Sequence, residues 1–107
     1  MDLMDLRWPY ACYLYSKVQS KHSDIKNDMA YYLNMQIYRN MRLIGIQTLS
    51  NHQSDLTETL VYLNTYSHLC SRFYNYSNLI LKTQTLLGEL NNAIQTLKNK
   101  ENKGNEE

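Results

Sequence analysis

Between Pro9 and Gly104 the only other helix-breaking residues in this chain of 107 are Gly45 and Gly88. An all-β chain of this length needs a turn former every ten residues or so, and so small a supply cannot serve one. The spacing of the apolar residues then decides how many helices there are and where they stop.

Trp8, Ala11, Cys12, Tyr15 and Val18 recur at steps of three and four, which predicts a first helix over residues 7–21. Pro9 suits its first turn, where a missing N–H costs nothing. SKHSD follows as a polar break, with Ser23 and Asp24 as N-cap candidates. A second helix is expected over residues 25–49, with Ile25, Met29, Leu33, Ile37, Met41 and Ile44 as its buried seam. SNHQSD reads as a loop. Asp55 and Glu58 resemble a capping box that opens a third helix, buried through Leu56, Leu60, Leu63, Cys70 and Phe73. NYSN, residues 75–78, marks a soft boundary before a fourth seam of Leu79, Leu86, Leu87, Leu90, Ile94 and Leu97. KNKENKGNEE reads as a solvated tail.

Four amphipathic helices joined by short polar loops are most simply buried as an all-α, antiparallel up-down-up-down four-helix bundle. One domain over residues 1–100 and a disordered polar tail over residues 101–107 are expected. At 43% hydrophobic and 20% charged residues the composition is that of a globular chain. The net charge of +1 hides an asymmetry, because residues 6–100 hold ten basic and five acidic side chains. The body is therefore basic, which fits a solvated surface or a footprint for phosphate or an acidic partner. Cys12 and Cys70 lie among apolar residues, where a cysteine behaves as a small hydrophobe. No signal-peptide pattern and no membrane-length apolar run is seen, so a reduced, cytoplasmic setting is expected.

Residues 28–45, DMAYYLNMQIYRNMRLIG, carry more apolar bodies than one neighbouring seam covers. Tyr31, Met35 and Tyr38 form a second row beside the seam and are candidates for an oligomer or partner interface. Lys17, Lys21, Lys26, Arg39, Arg42 and Arg72 are the candidate anchors for phosphate or for a partner's acidic groups. SRFYNYSN, residues 71–78, interleaves aromatic and basic side chains in a way that can stack bases, although Arg72 is equally explained by a helix C-terminus.

Nothing in the sequence assembles a catalytic site. His22 and His52 fall in expected loops without a companion set of ligands, and His68 and Cys70 point to different sides of a helix. No phosphate-cradling Gly-rich loop and no paired-acid motif is present. The Arg-x4–6-His spacing of helical-bundle ribonucleases is missing too. A non-enzyme with no metal and no cofactor is expected.

In outline, WPYACYLYSKVQSKHSD, DIKNDMAYYLNMQIYRNMRLIGIQTL, LTETLVYLNTYSHLCSRFYNYSNL and LLGELNNAIQTLK follow one another as in a known family. The pattern resembles the small bacterial and phage four-helix-bundle proteins that include the accessory variability determinants of diversity-generating retroelements. That resemblance implies a basic homo-oligomer, a ring-like pentamer, that binds a reverse transcriptase and its RNA or DNA. The alternative is a small phage- or plasmid-encoded interaction factor, of immunity or anti-defence type, docking on one host protein through its second helix.

Overall fold

The computed structural model describes residues 3–35, 37–70 and 76–106. Among them there are three helices and no strand: α1 (Leu3–Asn34), α2 (Arg39–Cys70) and α3 (Tyr76–Glu106). All-α is thus the observed class, but the count of helices differs from the four expected. The three run up, down and up as a rod of 65 × 17 × 16 Å, with the most extensive contact between α2 and α3.

The physical cause lies in where polar residues occupy core positions. On α2 the inward seam passes through Arg42, Gly45, Leu49, His52, Leu56, Thr59 and Leu63, alternating steps of three and four without a fault. His52 sits on that seam inside the stretch read as a loop, and its Nε2 lies 2.7 Å from Asp28 on α1. Residues 50–55 are accordingly helical. SKHSD behaves in the same way. The α1 seam of Leu14, Val18, Ile25 and Met29 is bridged by His22 and Lys21, and Lys21 meets Asp55 at 3.7 Å. Pro9, placed at a helix start from the sequence, is inside α1, where it removes one backbone hydrogen bond.

The chain reverses instead at residues 35–38, in the middle of the expected second helix. Met35 N still donates to Tyr31 O at 3.1 Å, Tyr38 N donates to Met35 O at 3.1 Å, and Arg42 N donates to Tyr38 O at 2.9 Å. A tight turn therefore separates two helices without any Gly or Pro. What holds it is tertiary: the reversal lets the α1 and α2 seams face each other, and Gly45 is buried directly against the ring of Tyr32. Ile37 and Ile44, expected in a continuous seam, are exposed as a result.

α3 carries a buried seam of Tyr76, Leu79, Thr83, Leu86, Leu90, Ala93, Leu97 and Glu101. From Tyr76 to Leu97 its steps alternate three and four, an average of 3.5 residues, which is the pattern of a left-handed coiled coil. The helix continues to Glu106 through the stretch read as a tail, and Glu101 within it is buried. The core falls into two apolar clusters. One holds Ile25, Met29, Leu49, Leu56, Leu86, Leu90, Ala93, Ile94 and Leu97. The other holds Leu14, Val18, Leu63, Tyr76 and Leu79, with Tyr15 edge-on to Tyr76 at 5.5 Å.

A polar layer separates them. Buried Thr83 donates its hydroxyl to Leu79 O at 2.7 Å, so its lone pairs are left to accept. His22 Nε2 lies 2.9 Å from Thr83 Oγ1 and must therefore be the donor. Thr59 lies nearby in sequence register and donates to Asp55 O at 2.8 Å. Sliding α1 past α3 would part His22 from Thr83 and leave a part-buried imidazole N–H unpaired, so the layer opposes register shifts.

Candidate functional site

Five of the nine exposed large hydrophobic side chains among the described residues lie at or beside the turn between α1 and α2. Ile37 is 74% exposed and Tyr38 57%. Leu43, one turn into α2, is also exposed, as are Tyr31 and Ile44 on the flank below. The expected interface row of Tyr31, Met35 and Tyr38 lies here: both tyrosines are exposed and Met35 is half-buried. Tyr31 packs edge-on against Tyr32 at 5.0 Å, which fixes its ring without covering it.

Two of the six candidate basic anchors belong to the same end. Arg39 Nε donates to Glu101 Oε1 at 2.7 Å, and Arg42 Nε stands 3.5 Å from Oε2. The Arg42 side chain is 11% exposed and that of Arg39 65%, so one guanidinium is built into the rod and the other lies largely in solvent. α2 has no acidic residue of its own in its first turn. Glu101 supplies a carboxylate there from α3, favourable against the positive end of the α2 dipole.

The remaining anchors are spread around the rod. Lys17 and Lys21 border the groove between α1 and α2, and the Lys17 ammonium lies 5.7 Å from the centre of the Tyr13 ring. Lys26 faces the other groove, between α1 and α3, together with His22 and Lys82. Arg72 lies outside the described residues. The five described anchors therefore form no single patch. The α1–α3 groove encloses a cleft of about 450 Å³ whose polar lining includes His22, Lys26, Lys82 and Glu89. Burial and the ammoniums of Lys26 and Lys82 push the His22 pKa below its ordinary value, and in the neutral ring the donation to Thr83 places the proton on Nε2.

No group of three metal-ligating side chains able to hold an ion occurs among the described residues, and no described helix is long and apolar enough to cross a membrane. Sequence reasoning missed Glu101, assigned to the tail, and the exposure of Ile37 and Ile44. The four-residue step from Leu97 to Glu101 was the one signal that could have placed the carboxylate on the seam. Compared with protein-family models, curated proteins and solved structures, the chain matches none.

Proposed function

We propose that the protein is a non-catalytic interaction module that docks on another protein through the turn end of its rod. The observation that carries this reading is the grouping of exposed Ile37, Tyr38 and Leu43 around Arg39. Aromatic and aliphatic side chains beside an arginine are the composition of interface centres. Each such side chain contributes about 1.5–3 kcal/mol when fully covered. A patch of this kind at the end of a rod leaves the length of the bundle clear of the partner.

The test is recovery of tagged protein from its native host, with and without nuclease, beside the Ile37→Ser/Tyr38→Ser variant. A protein partner retained through nuclease and lost in the variant supports docking. Recovery of partners only through nucleic acid overturns it.

A second reading, the one implied by the resemblance, is an accessory role beside a reverse transcriptase and its RNA or DNA. The basic excess of residues 6–100 favours it. Its signature is a steep loss of RNA or DNA binding from low to moderate salt, because each phosphate contact releases bound counterions. Binding insensitive to salt removes this second reading.

A further inference from the structure

We propose that the flank formed by α1 and α2 is self-complementary and takes a second copy of the chain, antiparallel to the first, about a two-fold axis. The exposed large side chains on this flank repeat at one interval. Tyr13 and Tyr31 are exposed on α1, Ile44 and Tyr62 on α2, and each pair is separated by 18 residues. Eighteen residues are five whole helical turns, so the members of a pair leave their helix on the same side, about 27 Å apart.

The midpoints of the two pairs, near His22 on α1 and Gln53 on α2, lie at one height on the rod. The Lys21–Asp55 and Asp28–His52 contacts bracket that height. A two-fold axis through it lays Tyr13 over Tyr31 of the second copy and Tyr62 over its Ile44, four times in all. Between them the α1 stripe is antisymmetric in charge, with Lys17 and Lys21 before the midpoint and Asp24 and Asp28 after it. The same rotation brings Lys17 within one residue's rise of Asp28 of the second copy and Lys21 within one of its Asp24. On α2, Glu58 and Asp55 arrive at the levels of Thr48 and Asn51, so no like charges meet.

A parallel pair would instead set α1 against α2 of the second copy, where Lys21 and Asp28 would meet the same residue types, Asp55 and His52, that they already contact within one chain. Antiparallel docking offers the lysines carboxylates beyond those. One side of a 65 × 17 Å rod is also large enough for the roughly 800 Å² per partner of a standard interface. The surface is separate from Ile37, Tyr38 and Leu43, so a failure of one leaves the other standing.

The experiment is sedimentation equilibrium of the full chain and of two variants, Lys17→Glu/Lys21→Glu and Asp24→Lys/Asp28→Lys, with circular dichroism confirming that both stay helical. The wild type is expected to dimerise. Each variant alone is expected to associate about 30-fold more weakly, since four exposed ion pairs contribute a factor of roughly 2–3 each. An equimolar mixture of the two is expected to recover dimers, because all-acidic then meets all-basic. A monomeric wild type, an assembly indifferent to the substitutions, or a mixture no tighter than either variant alone would each overturn the proposal.

Discussion

Replacing Gly45 by alanine, and separately Gly88, asks the same chemical question in two surroundings. Both glycines are inside helices, where alanine is favoured by about 1 kcal/mol. At Gly88 an added Cβ meets nothing within 4 Å. The whole gain should therefore appear, raising the melting temperature by about 4–8 °C for a domain near this size. At Gly45 the Cβ would stand 2.9 Å from Cγ of Tyr32 and 3.0 Å from its Cβ and Cδ1. Carbon atoms normally rest about 3.5–4.0 Å apart, and these three belong to the root of the side chain, which cannot swing away. Overpacking of this kind costs about 1–3 kcal/mol, so the helix gain is cancelled or reversed. Urea unfolding of both variants reads the difference directly. In the Tyr32→Ala background most of the obstruction is gone, and Gly45→Ala should then be less harmful by 1 kcal/mol or more, roughly the coupling of touching residues. If Gly45→Ala stabilises as much as Gly88→Ala, α1 and α2 do not meet beside the turn and the reasoning fails.

Three further outcomes are expected. His22 has a folded-state pKa below its ordinary value of 6.5, so the unfolded chain takes up the proton first. Its contribution to stability is complete above about pH 6.5 and is lost as pH falls through that value towards the lower folded one; urea midpoints between pH 8 and pH 5 should fall, and His22→Gln should flatten that portion. Glu101→Ala removes the carboxylate shared by Arg39 and Arg42. It should destabilise by about 2–3 kcal/mol, below the roughly 3–5 of a fully buried pair because Arg39 is largely solvated. Leu56→Ala, at a side chain with no exposure, should cost about 2–5 kcal/mol in the same assay.

Helical class was legible because it rests on period and on a shortage of breakers, both local properties. The division into helices was not, for a reason visible at two residues. His22 and His52 occupy inward positions and are satisfied by Thr83 and by Asp28. A polar residue whose partner is distant in sequence reads as a break, because the partner cannot be seen from the local pattern. The true reversal, between Asn34 and Arg39, has Met35, Ile37 and Tyr38 as its described residues, none of them a turn former. It is stabilised by Gly45 lying on Tyr32, which is again a contact across the turn. The candidate site shared this fate. The excess of Tyr31 and Tyr38 over one seam is visible in the local pattern and both are exposed, while Ile37 and Ile44 fall on a periodic seam that the turn interrupts. Glu101 was lost to a compositional reading of the tail.

The position of that turn is tested most directly by a distance between spin labels at Ser23 and Ser54, both exposed, in a chain whose Cys12 and Cys70 are replaced by serine. With α1 and α2 paired, the two sites stand at about the same level on neighbouring helices, and a distance below about 25 Å is expected, one interaxial spacing of about 8–10 Å plus the outward reach of both labels. A single helix running from residue 25 to residue 49 would set its two ends about 36 Å apart, at 1.5 Å per residue, with the labels just beyond them, and a distance of that size would contradict the three-helix rod.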